Sequence, residues 1–263
     1  MALLRVDRSK CQKDGICKAV CPRGLISLQE FPESPEDAYE FCIACGHCVA
    51  ACPHGAISNV KLPQGGCIPI QKELQPGTDS VVQFLMSRRS VRAFKERSVP
   101  RDAIERILDC ARWAPSASNT QPVSWIVVEK TEHMKYLEEH AAQWLKNEKP
   151  ESARNFIHGW NQGKEMVLRG APHLIVAMAR EEYPWGQTDC AIALSYVELA
   201  AKAQGLGTCW AGVLTMAVGA NRSISEFLGV PNGYRVYGAL MLGYPVYSYD
   251  WIPMRNGTVI KWA

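Results

Sequence analysis

Seven of the eleven cysteines fall into two runs whose spacing is that of a ligand set. The second run reads Cys42-Ile-Ala-Cys45-Gly-His-Cys48-Val-Ala-Ala-Cys52-Pro53. Three thiolates separated by two residues can wrap one face of an iron–sulfur cubane in a single irregular turn. The fourth, three residues further on and followed by proline, points away and reaches a second cluster. That geometry requires a partner run, which Cys11-Gln-Lys-Asp14-Gly-Ile-Cys17-Lys-Ala-Val-Cys21-Pro22 supplies, with Asp14 at the place of the second cysteine. Crossed pairing assigns Cys42, Cys45, Cys48 and Cys21 to one complete four-iron cluster, and Cys11, Cys17, Cys52 and Asp14 to the other. A carboxylate is a harder, weaker ligand for iron than a thiolate. The Asp14 cluster is therefore expected to give up its fourth iron easily or to run at a shifted potential; with no ligand but water at that position it would be a three-iron cluster.

Two blander readings compete. A disulfide framework needs an oxidising compartment, and the first residues, Met-Ala-Leu-Leu-Arg-Val-Asp-Arg, hold no apolar stretch of signal-peptide length. Zinc would be content with two C-x2-C pairs, but it explains neither the third cysteine of each run nor the C-x3-C-P endings. The runs resemble those of bacterial-type ferredoxins, which implies a small two-cluster domain over residues 1–60. Its halves repeat: Gly24-Leu25-Ile26-Ser27-Leu28 follows one run and Gly55-Ala56-Ile57-Ser58-Asn59 the other, each predicted as a short strand beside a cluster. The proline-rich acidic stretch 29–39 is predicted as an exposed loop.

Three later stretches carry chemistry of another kind. Arg88-Arg89-Ser90-Val91-Arg92 sets three guanidiniums around a hydroxyl, an array suited to bidentate recognition of a phosphate, or equally a solvated cationic helix end. Trp113-Ala114-Pro115-Ser116-Ala117-Ser118-Asn119-Thr120-Gln121-Pro122 is a small-residue loop that lets a planar ring approach and be hydrogen-bonded at its edge, or else a plain turn. Gly205-Leu206-Gly207-Thr208-Cys209-Trp210-Ala211-Gly212 is no dinucleotide fingerprint, since Trp210 stands where the third glycine belongs. It is either a strip of backbone donors or a helix cap.

The elements that must position these residues alternate between helix and strand. A linker over 61–78, rich in proline and glycine, precedes a short amphipathic helix at 80–88. Periodicity predicts further helices at 101–114, 131–146 and 188–204, and strands at 123–128, 173–179 and 234–243. Helices alternating with strands give an α/β or α+β second domain. The aromatics Trp144, Phe156, Trp160, Tyr183 and Trp185 are expected in core or dimer packing rather than in a substrate lid. Cys67, Cys110, Cys190 and Cys209 are expected as buried small hydrophobes.

In combination, R-R-S-x-R, A-P-S-x-x-N-x-Q-P and G-L-G-T-x-W-x-G, in that order and with Arg169-Gly170-Ala171-Pro172 before the Leu-Ile-Val strand, resemble the nitroreductase family over roughly residues 79–263. The resemblance implies an α+β domain, a sheet layered between helices, in a homodimer with FMN at the subunit interface. It implies that Arg88, Arg89, Ser90 and Arg92 hold the FMN phosphate and ribityl chain, joined by Arg255. Pro115, Ser116, Ala117 and Asn119 would come from the other subunit, and Ala211 and Gly212 would offer backbone N–H groups to the ring. No side chain stands out as the catalytic proton donor.

Fused, the two modules imply an FMN-dependent oxidoreductase that passes electrons from iron–sulfur clusters to FMN and on to a small organic acceptor such as a nitroaromatic. An NAD(P)H-dependent flavin, quinone or ene reductase and an electron-transfer subunit without its own substrate are the alternatives. The donor would be a ferredoxin or NAD(P)H. The 263 residues are 47% hydrophobic and 21% charged with a formal charge of +3, an ordinary globular profile. There is no basic stripe for nucleic acid, no apolar run of membrane-spanning length and no H-E-x-x-H pair for zinc. The chain is expected to be soluble and cytoplasmic.

Overall fold

The computed structural model describes residues 2–63, 67–148 and 153–263. Two units divide it: Met1–Gln75 with Ala117–Thr120, and Pro76–Ser116 with Gln121–Ala263.

In the first unit β1 (Leu4–Val6) is followed by α1 (Ile16–Ala19), β2 (Ser27–Leu28), β3 (Pro32–Glu33), α2 (Ala38–Phe41), α3 (His47–Ala50) and β4 (Ile57–Asn59). The predicted strands are both present. β4 pairs antiparallel with β1 in the register Leu4↔Asn59, Arg5↔Ser58 and Val6↔Ile57, and β2 pairs with β3. The stretch 29–39 is thus more than an exposed loop. Pro32 and Ala38 are buried in it, because β2 needs a partner and the short α2 packs inward. The unit's apolar core centres on Cys17, Ile26, Cys48 and Ile57, with Leu4, Val6 and Val49 half-buried against them and Leu3, Ala38 and Ala56 buried besides. So small a core cannot hold a domain of this size by burial alone, and ligated metal supplies what is missing in such domains. Past β4, Lys72–Leu74 form a single 3₁₀ turn within the stretch read as linker; its Gly65 and Gly66 lie outside the described residues.

The second unit runs α4 (Thr78–Met86), α5 (Arg101–Ala111), β5 (Ser124–Val128), α6 (Thr131–Glu148), α7 (Arg154–Asn161), β6 (His173–Arg180), α8 (Gly186–Ala203), β7 (Gly207–Trp210), α9 (Gly212–Ala220), α10 (Arg222–Phe227) and β8 (Tyr234–Gly243). Its strands form one antiparallel sheet in the order β5-β6-β8-β7. The apolar run of β6 is explained by its two faces. Leu174, Val176 and Met178 join one core with α6 and α9, while Ile175, Ala177 and Ala179 join another with α5 and α8. The sheet is therefore the middle of three layers, as the resemblance implies.

Trp144, Phe156 and Trp160 pack against the first of these cores, whereas Trp185 is exposed. Of the cysteines outside the runs, Cys190 and Cys209 are buried as expected, but Cys67 and Cys110 are exposed. Cys110 is exposed although its helix is amphipathic, because Ile107 and Ala111 face the core instead. α4 buries no residue, and Val82, Leu85 and Met86 lie open on it. No helix among the described residues is long and apolar enough to cross a membrane.

Candidate functional site

The cysteine runs fold as two copies of one device. Lys13 and Ala44, each two residues after the first cysteine of its run, adopt positive φ of 58° and 51°. Gly15 and Gly46 follow at 75° and 74° and open α1 and α3. Two left-handed residues so close together curl the backbone tightly around a centre, at a cost that non-glycine residues bear only where surroundings demand it. Each curl is followed by one helical turn that buries a cysteine, Cys17 or Cys48.

Two cavities result. One is lined by Cys21, Cys42, Cys45 and Cys48, the other by Cys11, Asp14, Cys17 and Cys52. These are the two crossed sets expected from the spacing, the last cysteine of each run facing the other run's cavity. Among the described residues no three His, Cys, Asp or Glu side chains converge as a single metal ion would require. A cubane binds its ligands at its corners, so thiols spread around a cavity suit it. Further donors aim at the sulfurs: Leu25 N–H to Cys21 Sγ (3.4 Å), Ala56 N–H to Cys52 Sγ (3.4 Å) and Asn59 Nδ2 to Cys42 Sγ (3.5 Å). Such bonds tune the potential of a cluster. Burial pushes the Cys17 and Cys48 thiols up, and iron must displace their protons on binding.

Asp14 departs from its cysteine counterpart in what it touches. Its Oδ1 accepts from the Ile16 N–H (3.1 Å), and its Oδ2 lies 3.5 Å from His54 Nε2. The carboxylate caps the turn that Cys45 leaves uncapped in the other run.

Sequence reasoning overlooked the clamps on the second cysteine loop. Lys61 Nζ donates to the carbonyls of Tyr39 (2.7 Å) and Cys42 (2.8 Å). Asn119 Nδ2 donates to the carbonyls of Ile43 (3.0 Å) and Ala44 (3.1 Å), and Arg23 reaches Ser118 Oγ (3.3 Å). Asn119, implied by resemblance to reach a flavin, here holds the cluster loop. No local pattern announces a bond between residues so far apart in the chain.

In the second unit Arg88, Arg89, Ser90, Arg92 and Arg255 line one cleft together with Pro253 and Met254. The arginine strip lies along β7 through a parallel bridge, Ser90↔Thr208, and a bond from Val91 N–H to the Thr208 carbonyl (2.8 Å). Among the described residues Arg89, Arg92 and Arg255 have no ion pair with a carboxylate, while Arg88 Nη1 lies 3.1 Å from Glu198 Oε1. The cleft therefore carries an excess of positive charge and suits a phosphate-bearing group.

Pro115 and Ser116 line a different cavity, with Gln121, Trp125 and Asp189. Ala117 and Asn119 fall in the first unit. One chain thus brings together only part of the implied flavin set. Ala211 N–H, expected to face a ring, is committed to the Ala239 carbonyl (2.9 Å). Gly212 opens α9, whose first-turn N–H groups have no acceptor within the helix, and remains available as a donor. Burial pushes the Cys209 thiol up, in keeping with packing rather than reactivity.

A small unit with two cysteine-lined cavities, joined to a three-layer unit with a cationic cleft, defines a two-module redox protein. Residues 85–244 match the model of the nitroreductase family, and residues 3–53 that of the 4Fe–4S dicluster domain. The chain belongs to the nitroreductase family and carries a 4Fe–4S dicluster domain ahead of it. A relative from Archaeoglobus fulgidus, provisionally named NADH dehydrogenase/NAD(P)H nitroreductase, is 31% identical over 64% of this chain and 86% of its own. An FMN reductase [NAD(P)H] of Bacillus subtilis is 25% identical over 64% of this chain and 66% of its own. Among solved structures, a nitroreductase with bound FMN from Bacteroides fragilis superposes with a TM-score of 0.61 at 25% identity, covering 70% of this chain and 99% of that one.

Proposed function

We propose that the protein is an FMN-dependent oxidoreductase in which electrons enter through the two clusters, reach FMN in the arginine cleft and leave to a small organic acceptor, of which a nitroaromatic is the type. The observation that carries this reading is the pair of four-ligand cavities in a chain whose other unit has a cationic cleft of the family that binds FMN in the Bacteroides fragilis structure. FMN accepts electrons singly or in pairs and hands on a hydride equivalent, whereas iron–sulfur clusters carry single electrons.

The chain's own residues bind and orient. Arg88, Arg89, Arg92 and Arg255 neutralise a phosphate by charge-assisted hydrogen bonds, with the Ser90 hydroxyl between them. Gly212 N–H, at the positive end of α9, stabilises negative charge that develops nearby. Cys21, Cys42, Cys45 and Cys48 hold one cluster; Cys11, Cys17 and Cys52, with or without Asp14, hold the other. The open apolar faces of Val82, Leu85 and Met86 on α4 support a second copy of the chain as partner.

The test is anaerobic. Protein reduced with dithionite or reduced ferredoxin and mixed with a nitroarene should recover its oxidised flavin absorbance within the mixing experiment; no recovery with any acceptor would sink the reading. The NAD(P)H-linked names of the relatives favour a second reading, in which a nicotinamide reduces FMN directly. Bleaching of the flavin by NADH or NADPH without ferredoxin supports that alternative.

A further inference from the structure

Glu198 is flanked in α8 by Val197, Leu199, Ala200 and Ala201, and only 7% of it is exposed. A carboxylate does not persist in such a place unless its oxygens are engaged. Three donors engage it: Arg88 Nη1 at 3.1 Å and the Thr208 hydroxyl at 3.4 Å on Oε1, and Trp210 Nε1 at 3.3 Å on Oε2. Two of these come from β7, which leads directly into Ala211 and Gly212, and the third belongs to the arginine strip. One carboxylate thus joins the part of the cleft implied to take a phosphate to the part implied to take a ring.

From this geometry we propose that Glu198 is a positioning residue for phosphate recognition: it holds Arg88 by one nitrogen so that the rest of the guanidinium fork faces the cleft. The proposal rests on the reading of that cleft as an FMN site. Two effects of the carboxylate oppose each other. Its negative charge repels a phosphate, whereas its grip orders a side chain that otherwise samples many rotamers. Arg89, Arg92 and Arg255 leave the cleft cationic with Glu198 in place, so the charge it subtracts is a minor part of the total. Ordering decides the sign, because the fork geometry of Arg88 gives its bidentate bond only when held.

The experiment dilutes holoprotein loaded with FMN, or with riboflavin, which is the same ring without the phosphate, and follows flavin released into solution by fluorescence. The wild-type protein should prefer FMN by tenfold or more. Glu198→Ala should lose at least tenfold of that preference, about 1.4 kcal/mol. Glu198→Gln, whose amide carbonyl still accepts from Arg88, should keep it within threefold. If Glu198→Ala does not fold, Glu198→Asp, which retracts the carboxylate by one methylene, should show the same loss. Equal weakening of FMN and riboflavin would make Glu198 a brace of the fold and overturn the proposal, as would full preference in the Ala or Asp variant. A wild-type protein that carries flavin but shows no preference overturns the phosphate reading of the cleft and the proposal with it. One that retains neither flavin overturns the FMN assignment itself.

Discussion

Asp14 is the residue at which the two halves of the cluster domain part company. The backbone curl survives the substitution, since Lys13 and Gly15 repeat the positive φ of Ala44 and Gly46. What changes is the ligand. The carboxylate already accepts from Ile16 N–H and faces His54, so iron at that corner competes with bonds the cysteine counterpart does not make. We predict that on exposure to air the cluster at Cys11, Cys17 and Cys52 loses one iron per chain well before the other cluster decays. Asp14→Cys should slow that first loss at least tenfold. Iron and sulfide assays over the time course, with EPR for an oxidised three-iron cluster, check it. Equal rates in the two proteins would show that the carboxylate is no weak point.

Elements translate such details into stability, and α6 carries an acid in the wrong setting. Burial, with Glu165 and Glu139 adding repulsion, raises the Glu138 carboxyl from 4.5 to about 7. A raised carboxylate pKa means that the folded state keeps its proton after the unfolded chain has lost it. Stability from this group therefore falls as pH climbs from 4.5 to about 7 and stays low above. Glu138→Gln should remove that fall and stabilise the protein by about 1–2 kcal/mol at pH 8, allowing for the solvent Glu138 still meets. Melting curves of both proteins at pH 5 and pH 8 measure the difference; equal gains at the two pH values would rule out titration as the cause.

β7 poses a steric constraint instead. A Cβ on Gly207 would lie 2.5 Å from Val91 Cγ2, and Val91 is buried and β-branched, with little room to turn away. Gly207→Ala should cost about 1–3 kcal/mol by overpacking. Because the push separates β7 from the arginine strip, the flavin-to-protein ratio should fall as well. A variant that keeps its melting temperature and full flavin would contradict the close approach.

How legible these features were follows from their range along the chain. The cysteine sets, the strands after each run and the arginine strip depend on fixed local offsets and were readable. The strand order was not, since β8 sits between β6 and β7 through pairings that no local period encodes. α9, nearly all apolar from Gly212 to Ala220, has no polar face to mark it as a helix. The second strand of the 29–39 hairpin hid behind prolines and acids that ordinarily mark a loop. Glu198 left one signal, an acid set among Val197, Leu199, Ala200 and Ala201, which only the structure converts into a partner for Arg88.

At the scale of the whole molecule the modules must add up in electrons. Each four-iron cluster takes one electron and FMN takes two, so a fully loaded chain should consume about four electron equivalents. Cys42→Ala removes a thiolate that also accepts from Asn59 Nδ2 and whose carbonyl is clamped by Lys61, so its cluster should be lost from the cavity it shares with Cys21, Cys45 and Cys48. The capacity should then drop to about three equivalents, with the flavin share untouched because the cationic cleft belongs to the other unit. Anaerobic titration with dithionite, followed at flavin and cluster wavelengths, counts these directly. If ferredoxin reduces FMN by way of that cluster, the variant should take electrons from dithionite yet reduce its flavin more slowly from reduced ferredoxin. A wild-type capacity of two or fewer would mean that cluster cavities and flavin cleft are not loaded in the same chain. An unchanged ferredoxin rate in the variant would route the electrons around this cluster.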